Sequence, residues 1–542
     1  MDARIAALDA LFDGHVKSDG PGLVVAAAVD GRVVYRRAFG MACVALGRAL
    51  APSTRMRIGS TSKQFTAMAV LLLADEGRVD LDAPLRDYLP ELPRYPVEPT
   101  VRQVLQHLGG IRDHVSDGML VDGGRSVKPA GWAWRHLVRQ DALNGLPGQR
   151  WMYSNGGYHL LSLLAERAGG RPFAELLRDR LFAPLGMHDT ALVPSDLAIT
   201  PGLATLHVPQ ADGTWRRGAF PHEDLLGEGG IVSTADDLLR WLAELRAPRV
   251  LGTPAAWRTL LEPARLADGS ALPYLMGLLR LPMRGEVTLQ HAGAVVGASC
   301  QALTVPARGI DIVVLTNGLP VSPTAIAGQV LGVLLDAADR PAPEPARPKT
   351  RDYAALPGRR YRTPSGMVLA FADADGVLAL SVLGNRAQPL RLASDGFVLA
   401  YEDCGAGPFF VSGVAHLPPR APTTLRVGEG AVFETARLVP PADAVDWDEL
   451  AGDWRCADLG TEAGLEAGSE DALLTVRGGA NRLTLRLAPC GPDLFQWHST
   501  DAAMPLTGML HAVRTDGRVT ALQCDAWGSR GLRYDRADGA HG

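Results

Sequence analysis

The sequence predicts a multidomain chain of the α/β (α+β) class, with an antiparallel sheet flanked by helices followed by two antiparallel β-barrel-like domains. Three observations carry this expectation. Apolar runs at 22–29 and 32–35 flank Asp30-Gly31, a pair suited to the positive φ angles of a tight hairpin turn. Helical periodicity at 61–76, 100–107, 156–168 and 234–246 is interspersed with strand-like text, which returns at 286–290 and 310–316. Finally, Pro341-Ala342-Pro343-Glu344-Pro345-Ala346-Arg347-Pro348 can form neither a regular helix nor a central strand, and the text beyond it turns to short alternating runs with glycine turns.

In chain order, Asp2 to Gly20 mixes acids with apolar residues. It reads as an amphipathic helix, and no uninterrupted apolar core marks it as a signal peptide. From Thr61 to Glu76, the residues Phe65, Met68, Ala69, Leu72 and Leu73 follow a helical period that Gly77 ends. That helix is expected to be buried on most of its surface. In the helix at 234–246, Ser233 and Asp236 have the spacing of a capping box. After the proline-rich break, strands are expected at Met367–Phe371, Val377–Val382, Phe397–Tyr401, Phe409–Val414 and Leu483–Leu487. Leu356-Pro357-Gly358 and Leu450-Ala451-Gly452 open two similar β modules, whose edges a barrel would protect. The expected division is a mixed domain at 1–338, a linker at 339–350, and β-barrel-like domains at 351–438 and 439–542.

With 542 residues, 47% apolar, the chain is long enough for several cores. A formal charge of −5 offers no long-range attraction to nucleic acid or an anionic membrane, and neither is an expected partner. No run reaches the length of a membrane span, and a cytoplasmic location is expected. Cysteines at 43, 300, 404, 456, 490 and 524 show no metal-ligand spacing and read as buried free thiols, with a Cys456–Cys490 pairing left open.

The chemistry starts at Ser60-Thr61-Ser62-Lys63. A serine needs a base to become a nucleophile, and a lysine three residues later on a helix lies on the same face one turn away. The helix N-terminus favours negative charge building there. Tyr153 is placed to relay a proton to a leaving group, and Asn155 to orient the lysine or bind a substrate amide. His291 closes a strand and is a candidate to hydrogen-bond the tyrosine or a bound carbonyl. Gly293 clears space for substrate against the backbone. The N–H groups of Ser60 and Ala294 are the oxyanion-hole candidates. These residues imply a serine hydrolase. No metal or nucleotide cofactor is expected, because neither a ligand cluster nor a Gly-x-Gly-x-x-Gly cradle stands in the sequence.

Ser60-x-x-Lys63, Tyr153-x-Asn155 and His291-x-Gly293, in this order, resemble the class C β-lactamase and DD-peptidase-like family of penicillin-recognising serine hydrolases. Supporting segments are Pro184 to Thr190 and Gly229 to Leu238, and the likeness covers about residues 5–335. A departure stands at Gln106-His107-Leu108-Gly109-Gly110, where relatives carry His-Thr-Ser-Gly, and it is expected to alter a loop near the cleft. The resemblance implies a serine β-lactamase-like catalytic domain and an acyl-enzyme on Ser60, with Lys63 and Tyr153 sharing base and acid duties. His291 in place of the family's Lys-Thr-Gly lysine weakens the usual carboxylate anchor, which argues against an efficient penicillinase or a strict carboxypeptidase. The β-rich tail resembles the D-aminopeptidase branch, which implies short peptides or amino-acid amides with a free D-residue amino end as substrates. In that branch a loop of the last domain enters the cleft. Asp493, in Gly491-Pro492-Asp493, is the candidate here to pair with a substrate ammonium, a surface turn being the alternative. A broad-range carboxylesterase, a β-lactamase-like hydrolase, a peptide cyclase or transacylase, and a non-enzymatic sensor are the competing readings. A homodimer is the assembly considered.

Overall fold

The computed structural model describes residues 2–12, 16–210, 212–318, 320–336, 346–393, 396–400, 411–414, 421–429, 432–442, 445–479, 481–501 and 505–537. Its first half is organised by a six-stranded antiparallel sheet. The strand order is Leu279–Met283, Glu286–Val295, Ala298–Val305, Ile310–Thr316, Leu23–Val29 and Arg32–Phe39. The expected hairpin is present, with Asp30 and Gly31 at φ of 50° and 77°. Strand alternation then gives each face its own core. Val24, Ala26, Val313 and Leu315 face a large cluster containing the helices Lys63–Asp75, Asn155–Gly169 and Ala235–Arg246. Leu23, Val25, Ile312 and Val314 face the helices Asp2–Ala10 and Pro323–Leu334.

The Lys63–Asp75 helix is buried from Lys63 through Leu73, as expected for a sequence apolar on nearly every side, and Gly77 at φ 70° follows it. The cap of Ala235–Arg246 differs by one residue from the sequence reading. Thr234 Oγ1 accepts from Asp237 N at 3.2 Å, while Ser233 Oγ is paired with Thr190 Oγ1 at 2.8 Å. Thr234 can take the cap because its backbone is extended, and Ser233 still belongs to the Ile231–Ser233 strand.

The two β modules differ from each other. Strands between Arg360 and Leu438 form an open nine-stranded antiparallel sheet, whose edge strands Gln388–Pro389 and Arg391–Ala393 are not paired to each other. Among the described residues, only the eight strands between Gly452 and Arg536 close into a barrel. Of the expected linker, residues 339–345 lie outside the described residues, as do Tyr401, Phe409 and Phe410 of two expected strands. Cys43, Cys300, Cys456, Cys490 and Cys524 are buried free thiols, so Cys456 and Cys490 are not paired; Cys404 is outside the described residues. Among the described residues no helix is long and apolar enough to cross a membrane.

The barrel is fastened to the first half beside the site. Arg112, 3% exposed, forms an ion pair with Asp458 of the barrel, donates to Gln140 Oε1 at 3.0 Å and reaches the carbonyls of Arg530 and Gly531 at 3.2 and 3.3 Å. Removing one partner of a buried ion pair strands the other charge. Asp458→Ala is therefore expected to cost roughly 3–5 kcal/mol, read as a lower urea midpoint for the transition that releases the barrel.

Candidate active site

Ser60 lies in the 3-10 turn Gly59–Ser62, and Lys63 opens the helix that follows. One turn of helix brings Lys63 Nζ to 3.0 Å from Ser60 Oγ. The same nitrogen donates to Asn155 Oδ1 at 2.8 Å and to the Glu228 carbonyl at 2.6 Å. Three acceptors use every N–H of an ammonium, whereas an amine keeps its lone pair for the one group that carries a proton of its own, the Ser60 hydroxyl. Burial lowers the Lys63 pKa to about 7, against the opposing pull of the Glu228 and Asp113 carboxylates. Tyr153 Oη donates to Ser60 Oγ at 2.6 Å, and Lys63 Nζ sits 4.7 Å from the centre of its ring. Burial raises the Tyr153 pKa well above its ordinary value, so the phenol keeps its proton.

Asn155 is held from behind by a residue the sequence reading missed. Asp113 Oδ2 accepts from Asn155 N and Nδ2, both at 2.8 Å, while its Oδ1 caps the His114–Asp122 helix through Val115 N and Ser116 N at 2.9 Å. Tyr153 has a similar support in the departing segment Gln106–Gly110. The His107 ring packs 4.4 Å from the Tyr153 ring, and its Nδ1 accepts from Ser154 N at 3.1 Å. The departure therefore bears on the phenol itself as well as on its loop.

Gly293 lines the cleft, and its missing side chain has a packing reason as well. A Cβ there would overlap Ile58 O and lie 2.7 and 2.8 Å from Ser60 N and Thr61 N. The space it leaves is filled by the serine-bearing turn. Gly59 meets the strand from the other side, at φ 51°, where a Cβ would lie 2.5 Å from Ala294 N. Backbones in contact in this way bring the Ser60 and Ala294 segments to one wall. Gly293→Ala is expected to destabilise the fold by roughly 3 kcal/mol or more, seen as a lowered melting temperature. His291 is fully buried with Nδ1 2.5 Å from Ala292 O, and it is not among the residues lining the cleft. Burial lowers its pKa to about 3, so the imidazole is neutral.

A family model described as Beta-lactamase matches residues 8–335. The chain belongs to the beta-lactamase family. Among its relatives, a D-aminopeptidase of Gluconobacter oxydans is 28% identical over 99% of this chain and 98% of its own length. A D-aminopeptidase of Cereibacter sphaeroides is 28% identical over 99% of both chains. The fold is also similar to the octameric penicillin-binding protein homologue of Pyrococcus abyssi, with a TM-score of 0.56 and 18% identity over 98% of this chain and 100% of that one.

In this beta-lactamase-family serine hydrolase, the cleft over Ser60 has a volume of about 200 Å³. Tyr153, Asn155, Gly293, Ala294, Asp113 and Glu228 line it; no lysine, arginine or histidine is among its lining residues. The last barrel contributes to the cleft, but not through Asp493. That carboxylate accepts from Arg514 Nε at 3.1 and 3.0 Å and lies in a different depression, with Glu449 and Arg514. The tight turn that carries it has Asp493 at φ 51°. Trp527 and Gly528, between the strands Arg518–Asp525 and Leu532–Arg536, reach the cleft instead. Gly528 O accepts from Asp113 N at 3.2 Å and Asn144 Nδ2 at 3.0 Å, and a Cβ on Gly528 would lie 2.5 Å from Asp113 Cβ. An indole beside a glycine in a strand connection is the only sequence signal for this roof. Close behind the cleft, His114, His159 and Glu228 are grouped so that they could hold a metal ion, although no spacing in the sequence joins them.

Proposed function

We propose that the enzyme hydrolyses the amide bond that follows a free amino-terminal D-residue in short peptides or amino-acid amides, through an ester on Ser60. One observation carries the substrate charge: the residues lining the Ser60 cleft include two acids, Asp113 and Glu228, and no lysine, arginine or histidine. Such a lining attracts an ammonium end and gives a substrate carboxylate no counter-charge. The small volume and the Trp527-Gly528 roof favour short substrates. The D-configuration is carried over from the full-length D-aminopeptidase relatives. The division into 1–338, a linker at 339–350, 351–438 and 439–542 belongs to this reading. So does a homodimer, which light scattering of the eluted protein tests.

Neutral Lys63 takes the Ser60 proton as Oγ attacks the carbonyl carbon. The oxyanion forms against the N–H groups of Ser60 and Ala294. Tyr153 supplies a proton to the leaving nitrogen and recovers one from Lys63, so the C–N bond breaks to a neutral amine. Water then attacks the ester by the reverse route and releases the acid. Asn155 keeps Lys63 aimed at Ser60, and His291 lies behind the wall.

Comparing D-alanine p-nitroanilide with its N-acetyl derivative, its L-isomer, p-nitrophenyl acetate and a cephalosporin tests the reading. Turnover of the free D-amine, with at least tenfold loss on acetylation, is the expected result, tenfold being about 1.4 kcal/mol. Turnover of the ester alone, or preference for the cephalosporin, overturns it in favour of the esterase or lactamase alternatives.

A further inference from the structure

We propose that His114, His159 and Glu228 form a three-ligand site for a divalent transition-metal cation of the zinc class, directly behind the lysine of the nucleophile. The residues come from three separate segments: the first residue of the His114–Asp122 helix, the interior of the Asn155–Gly169 helix, and the loop that precedes the Ile231–Ser233 strand. Folding alone brings them together. His159 Nδ1 is 3.2 Å and His114 Nε2 3.8 Å from Glu228 Oε1, and one donor atom from each residue lies within 4.8 Å of the others. Bonds of about 2.0–2.1 Å in a tetrahedral zinc site put neighbouring donors roughly 3.3 Å apart. Small side-chain rotations would close the set.

The polar atoms around the cluster ask for an occupant. Glu228 is 2% and His114 1% exposed, yet Glu228 Oε2 and His114 Nδ1 are buried without a hydrogen-bond partner in the chain. Both ring nitrogens of His222 share that condition, and its ring lies 5.2 Å from that of His114. A protonated His159 on Glu228 would satisfy that pair alone and leave these atoms unmatched. Two imidazoles with one carboxylate form a donor set that favours zinc, cobalt or nickel over magnesium or calcium.

The site adjoins the Ser60 cleft, which Glu228 and Asn155 both line, although its donor side chains are themselves buried. The site also touches the catalytic frame through two routes. The Glu228 carbonyl accepts from Lys63 Nζ, and His159 lies one helical turn from Asn155, whose Oδ1 accepts from the same nitrogen. A bound cation would tie down both acceptors. It would also oppose the substrate ammonium, so loading is expected to raise KM for amine-ended substrates. That last consequence rests on the proposed function, whereas the site itself does not.

Titration of the full, chelator-treated chain with Co²⁺ tests the site without measuring activity. The expected result is one equivalent bound, with the visible absorption of four-coordinate Co²⁺, displaced by one equivalent of Zn²⁺ that survives desalting. His114→Ala and His159→Leu should each weaken Co²⁺ binding by at least about 100-fold, beyond the 10–100-fold that loss of an outer-shell partner brings. His188→Ala, at an exposed histidine, should not change it. An unmodified chain that binds no Co²⁺, or folded variants that bind it as tightly, overturns the proposal and leaves a proton shared by His159 and Glu228. Should the variants fail to fold, anomalous diffraction from Co²⁺-soaked crystals of the unmodified chain decides: a peak among the three side chains supports the site, and a peak elsewhere or none overturns it.

Discussion

Lys63→Ala is expected to slow acylation of Ser60 by roughly 10³- to 10⁴-fold, the upper range for loss of a positioned general base, while leaving substrate binding in place. The Ser60 hydroxyl has two neighbours able to act on its proton, and their protonation states divide the work. Tyr153 is held protonated by burial and already donates to Oγ, so Lys63 remains as the acceptor. The pH dependence follows with a definite sign. Burial brings the Lys63 pKa from 10.5 down to about 7; below this value it is an ammonium whose three N–H groups are spent on Ser60, Asn155 and Glu228. Above it, an amine lone pair faces the hydroxyl. In the metal-stripped enzyme, kcat/KM for D-alanine p-nitroanilide should rise with pH through about 7 and then level off. Stopped-flow labelling with a fluorophosphonate should follow the same limb. A profile flat across about pH 6 to 8, with Lys63→Ala labelling at the normal rate, would sink the assignment of the base. Ser60→Ala should abolish labelling at every pH.

What the sequence made legible was short-range or carried in motifs. Ser60 and Lys63 are joined by helical spacing, so their meeting needs no tertiary information. Tyr153, Asn155 and Gly293 were found as motif elements, yet a further role of Gly293 was hidden, because a backbone collision with Ile58 becomes visible only once strand and turn are packed. Asp113 stood beside a quoted segment without a signal of its own. Its function lies in partners at Val115, Ser116 and Asn155, the last on another helix. Glu228 contributes a carbonyl to Lys63, and a carbonyl is the same in every residue. Asp493 drew attention because a charge in a turn looks like a ligand, but Arg514 on the adjacent strand Thr507–Thr515 takes it up. Closure was equally illegible. Alternating strands announced both β modules, whereas whether the first and last strands meet depends on register and stagger summed over the sheet.

The roof and the base are linked through a single residue, Asp113, and this gives the second large expected effect. Asp113 caps one helix, fixes Asn155 through two bonds, and donates its own N–H to Gly528 of the barrel loop. Burial raises its pKa, while the N–H groups aimed at it from Asn155 and Ser116 pull the other way, as does the charge of Lys63. Asp113→Ala should cost roughly 3 kcal/mol, about 1 for the lost cap and the rest for Asn155 donors left buried without an acceptor. Activity should fall by roughly 10²-fold beyond any unfolding, because an unfixed Asn155 no longer aims Lys63. Asp113→Asn separates charge from shape. Its amide offers one acceptor oxygen and turns its NH₂ toward N–H groups, so it should lose activity as Ala does while filling the same space. Urea unfolding gives the stability term, and fluorophosphonate labelling of the folded fraction gives the chemical one. If Asp113→Asn labels at the rate of the unmodified enzyme, Asn155 is held by its helix alone, and the barrel loop shapes the cleft without acting on the proton acceptor.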